Sequence, residues 1–75
     1  MIDTIIDAIE LTLKEQGDPL SPYWLASQMM EGRLWRASEN DVQAALEKDM
    51  KEWGEESQFV KVGEDEYALR SWGES

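Results

Sequence analysis

Three apolar stripes at helical spacing, followed by two short alternating segments around a glycine turn, predict a mainly α chain with a small β-hairpin. In 75 residues this is the order of a winged helix-turn-helix: three helices, a short strand and a two-stranded wing. Ile2, Ile5, Ile6, Ile9 and Leu13 recur at spacings of three and four, and Asp3, Asp7, Glu10 and Lys14 fall mostly off that stripe. Gly17 and Pro19 then stop the chain, which predicts a first helix over 3–16.

In "LSPYWLASQMMEGR", Ser21 is a good N-cap and Pro22 suits the first helical position. Leu25 and Met29 are expected to face inward with Ala26 and Met30 beside them, and Gly32 to end the helix in a left-handed conformation. "RLW" reads as a short extended segment. Ser38 opens the third helix, with Asp41 in the spacing of a capping box. Val42, Ala45, Leu46, Met50 and Trp53 form its inward stripe, and Gly54 stops it. In "SQFVKVGEDEYALRSW", Val60 and Val62 alternate with Lys61, and Tyr67 and Leu69 with Ala68. Phe59 is expected to be buried at the strand entry, and "SWGES" to fray after Trp72. Without linker, repeat or low-complexity tract, residues 1–75 read as a single domain.

The composition sets bounds on function. Seventeen acids against seven bases give a net charge of -10, a field that repels nucleic acid and anionic membranes at long range. Helical periodicity and 41% hydrophobic residues argue against disorder. No apolar run approaches the roughly 20 residues of a membrane span, and the N-terminus lacks a signal peptide's basic start. A cytoplasmic protein without membrane contact is expected. Cys and His are both absent, which removes thiol nucleophiles, imidazole bases and the usual zinc ligands. The expectation is a chain with no catalytic residue, no cofactor and no metal. Glu64, Asp65 and Glu66 lack the alternating spacing of a calcium loop and read as a solvated turn.

The segments "GDPLS" after the first helix, "EGRLW" at the end of the second, "SQFVKVG" after the third and "YALRSW" closing the hairpin resemble the HARE-HTH winged-helix family. That family includes the N-terminal domain of the bacterial RNA polymerase delta subunit. The likeness covers Thr4 to Trp72. It implies the winged-helix fold and a role around transcription or DNA-processing machinery. Gln58 stands before Phe59 where the family often has Arg, and Gly32 precedes Arg33 where the reverse order is frequent. The long acidic tail of delta subunits has no counterpart in these residues, so a delta-like function is not carried over whole.

Two classes of partner remain. From Ser38 to Trp53 five acids oppose Lys48 and Lys51, and the wing offers Glu64, Asp65 and Glu66 with only Lys61 and Arg70 behind them. Phosphate binding rests on Lys and Arg, so this balance favours a protein partner with a basic surface, such as RNA polymerase or another nucleic-acid enzyme. Tyr23 and Trp24, in the first turn of the second helix, would be the aromatic anchor of that contact; the plainer reading is that Trp24 packs over the first helix or Trp72. The alternative is DNA binding through Arg33, Arg36, Lys48 and Lys51, including DNA with altered bases, against which stands pairing of Arg33 and Arg36 with Glu31 or Glu39. A third reading is a prophage- or restriction-linked accessory of a larger enzyme.

Overall fold

The computed structural model describes residues 4–73. Helix α1 spans Ile5–Gln16, with the Thr4 side chain accepting a hydrogen bond from the Asp7 N–H. The expected start at Asp3 and the stripe position Ile2 lie outside the described residues, as do Glu74 and Ser75 of the expected frayed end. Gly17 takes φ 73° and closes the helix through its N–H to the Leu13 carbonyl. Helix α2 spans Pro22–Glu31 behind the Ser21 cap, and helix α3 spans Glu39–Trp53. The capping box of α3 is complete: Ser38 Oγ accepts from the Asp41 N–H, and the Asp41 carboxylate accepts from the Ser38 N–H.

Ile9 and Leu13 from α1, Leu25 and Met29 from α2, and Val42 and Leu46 from α3 are fully buried in one core. Strands β1 (Phe59–Lys61) and β2 (Tyr67–Leu69) pair antiparallel, with Phe59 opposite Leu69 and Lys61 opposite Tyr67. A hairpin this short is marginal alone. It is held because Phe59, Tyr67 and Leu69 insert into the helical core. The chain is a winged helix-turn-helix.

Several expectations are corrected. The short strand is not at "RLW". Leu20, ahead of α2, exchanges both backbone hydrogen bonds with Tyr67 at 3.0 and 2.9 Å and is the third rung beside the wing. Residues 32–34 instead complete the end of α2: Leu34 N–H bonds the Met29 carbonyl at 2.9 Å and Arg33 N–H bonds that of Met30 at 3.1 Å. This is a Schellman closure, whose left-handed position usually holds Gly. Here Gly32 has φ -82° and Arg33 has φ 56°. The left-handed backbone costs a non-glycine residue about 1 kcal/mol.

Three side chains expected inside are outside. Met30 (55% exposed) lies on the flank of α2 away from the Leu25–Met29 stripe, and Trp53 (57%) lies in the last turn of α3, where the apolar face runs past the end of the core. Val62 is 53% exposed because the strand alternation is phased on Phe59 and Leu69, not on the valines.

Candidate functional site

The helix-turn-helix unit is α2, the turn 32–38 and α3. The turn holds Arg33 and Arg36 on either side of Leu34 and Trp35. Leu34 and Trp35 are half-buried and pack on the core, so they fix the turn from below. Both arginines are exposed and share, with Met30, Leu34 and Trp35, the lining of an open cleft of about 370 Å³.

The expected pairing of Arg33 and Arg36 with Glu31 or Glu39 does not form. Among the described residues the one ion pair within 4.0 Å is Lys14 with Glu10, at 3.2 Å within α1. Lys48 and Lys51 are likewise exposed and unpaired. Arg70, expected to back the wing as a charge, is occupied instead: its guanidinium donates to the carbonyls of Ser57 at 2.6 Å and Gly54 at 3.1 Å.

Helical geometry sorts the charges of α3. Val42 and Leu46 define the inner face, so Asn40, Ala44, Lys48 and Lys51 lie on the opposite, exposed face. That outer row carries two cations and no anion. The acids sit on the flanks. Asp41 is held in the capping box, and Asp49 accepts a 2.7 Å hydrogen bond from Ser57 Oγ at the base of the wing. Glu47 accepts from Gln43 Nε2 at 3.3 Å. Between Arg33 and Lys51 four bases meet four acids, while the rest of the chain holds three bases and thirteen acids. The whole net charge of -10 therefore resides outside the segment 33–51.

The wing is different in kind. Glu64, Asp65 and Glu66 are exposed in a turn closed by the Val62 N–H to the Glu66 carbonyl at 2.9 Å. Beneath it Tyr67 is buried, and its hydroxyl pKa is raised by that burial first, then by the negative charges of Glu47 and Asp65. No group of three or more acidic side chains that could hold a metal ion occurs among the described residues. Nor is any described helix long and apolar enough to cross a membrane.

Tyr23 and Trp24 are 58% and 54% exposed and meet edge to face, with ring centroids 5.6 Å apart. Trp24 is thus not packed away under α1 or Trp72. The antiparallel Leu20–Tyr67 bridge sets the start of α2 beside the residues that precede Tyr67. The five residues predicted for a protein partner therefore come from neighbouring elements, and the four predicted for DNA flank and line α3. Asn40 and Ala44 were not among the residues the sequence singled out.

A family model, HARE-HTH, an HTH domain named for ASXL and restriction endonuclease proteins, matches residues 4–72. No curated protein and no solved structure gives a match. The chain belongs to the HARE-HTH family, a helix-turn-helix family.

Proposed function

We propose that this HARE-HTH domain is a non-catalytic module that contacts duplex DNA through the α2–α3 turn and the outer face of α3, in the cytoplasm. The observation that carries the reading is the set of four exposed cations, Arg33, Arg36, Lys48 and Lys51, none with a carboxylate within 4.0 Å. In a chain with 17 acids, arginines free of partners are conspicuous. From the turn to Lys51 the row extends about 20 Å at the helical rise of 1.5 Å per residue. The major groove is about 12 Å wide, so a helix of this length crosses it and brings cations to the phosphates on both rims. The flank acids reduce affinity without abolishing the row.

The test is DNA affinity by fluorescence anisotropy across a salt series. Four phosphate contacts give a slope of log K on log salt of about -3.6. Alanine at Arg33 and Arg36 together lowers that slope by about half with the melting temperature kept or raised. A wild-type protein that binds no duplex at low salt, where attraction is strongest, contradicts the reading.

A second reading has its own observation. The exposed Tyr23–Trp24 pair stands beside the wing that carries Glu64, Asp65 and Glu66. Aromatic faces and carboxylates together suit a basic protein surface, such as that of RNA polymerase or the larger enzyme of a restriction system. Trp24→Ala separates the two: it leaves DNA affinity unchanged and weakens capture of a basic partner.

A further inference from the structure

We infer that the outer face of α3 reads base edges, with Asn40 as the residue that specifies adenine and Ala44 as the point of closest approach to the groove floor. The inference rests on the DNA reading and deepens it. Cations that touch phosphates position a protein but carry no sequence information; hydrogen bonds to base edges do. On the outer row the cations lie toward the C-terminal half of α3, at Lys48 and Lys51, and beyond its N-terminus, at Arg33 and Arg36. The middle of the row is left to Asn40 and Ala44, one helical turn apart. In helix-turn-helix docking it is the N-terminal part of the recognition helix that reaches the bases, and Asn40 lies in the first turn of α3.

The side chain is free to do so. Ser38 and Asp41 already satisfy the cap, and the Asn40 amide makes no hydrogen bond among the described residues. A carboxamide offers one acceptor and two donors, which match the N6 donor and N7 acceptor of adenine in a bidentate pair. Ala44 adds no bulk beyond a methyl group, so the helix backbone can approach the bases. A methyl there also suits contact with the thymine C5-methyl group. Glu47, the next residue outward on that side, is turned to Gln43 and faces the wing, so it does not cover the row.

The experiment is binding-site selection from a pool of random duplexes at low salt, with wild-type, Asn40→Ala and Ala44→Leu proteins. Leu is a good helix former, so Ala44→Leu tests bulk at the groove with the fold intact, and a thermal melt verifies it. Wild-type protein is expected to enrich a motif with adenine at one position. Asn40→Ala is expected to lose preference at that position alone, by ten- to a hundredfold, while keeping the rest of the motif and the salt slope. Ala44→Leu weakens binding to every duplex at least tenfold. Binding by wild-type protein without sequence preference, or an unchanged motif in Asn40→Ala, overturns the base-reading role and leaves the phosphate contacts standing. Wild-type protein that binds no duplex overturns both.

Discussion

The outer face of α3 and the wing are neighbours in one small fold, yet they are opposite in design. The α3 row presents Asn40, Ala44, Lys48 and Lys51, with Arg33 and Arg36 before it, and no anion on the row. The wing tip presents Glu64, Asp65 and Glu66. A tally over whole elements hides this, because the acids of α3 lie on its flanks and two of them serve the fold. Asp41 closes the cap and Asp49 anchors the wing through Ser57. What a helix can bind is set by one face, and the sign of that face can differ from the sign of the helix.

The largest effect comes from cutting the wing from the helices. Phe59 is fully buried where the strand enters the core. Phe59→Ala is expected to destabilise by about 3–5 kcal/mol, enough to unfold most of a small domain, read by denaturant melts. Ser57→Ala comes next. Ser57 is buried, donates to Asp49 and accepts from the Phe59 N–H at 3.2 Å. Its loss leaves that buried amide short of a partner, at about 1–3 kcal/mol.

Arg33→Gly sharpens the comparison because its two effects have opposite signs. Glycine relieves the left-handed backbone at φ 56° and should stabilise by about 1 kcal/mol. The same change removes a cation from the row and should weaken DNA binding. A variant that melts higher and binds worse is the signature of a residue kept for contact rather than for the fold.

The wing tip gives a smaller effect on stability and an informative one on binding. Neutralising Glu64, Asp65 and Glu66 together with Gln, Asn and Gln should change stability within about 0.5 kcal/mol, as for exposed surface sites. It should raise DNA affinity, most at low salt. An unchanged affinity would separate the wing from the DNA-facing side altogether. The smallest effect is at high pH. The Tyr67 hydroxyl has its pKa raised above the ordinary 10.0 by burial and by Glu47 and Asp65. Its contribution is fully present below pH 10 and is lost as pH rises from the unfolded value through the raised folded one. Tyr67→Phe should flatten that loss in alkaline melts.

Much of the fold is legible in the sequence because its signals are local. Ser21–Pro22, Ser38 with Asp41, Gly17 and the stripes of α1 and α3 mark helix starts, ends and faces correctly. The misreadings concern what only the third dimension decides. Leu20 shows no strand signal of its own and becomes one by pairing with Tyr67. Trp53 keeps the helical spacing but outruns the core. Gly32 looks like the left-handed stop, but the Leu34–Met29 bond places that conformation one residue later. The candidate site divides in the same way. Arg33, Arg36, Lys48 and Lys51 can be picked out as bases, whereas their freedom from ion pairs depends on side-chain placement. Asn40 and Ala44 are visible only once α3 is sorted by face, and Arg70 can be removed from the exposed charges only when its bonds to Ser57 and Gly54 are seen.

Amide chemical-shift mapping during titration with duplex DNA at low salt, repeated at higher salt, tests most directly whether the α3 row is the working surface. Shifts centred on Arg33, Arg36, Asn40, Ala44, Lys48 and Lys51 that fade as salt rises are the predicted result, with the Glu64–Glu66 turn unmoved. No shifts at low salt, or shifts confined to Tyr23, Trp24 and the wing tip, would contradict it and leave the acidic, aromatic side as the surface that meets a partner.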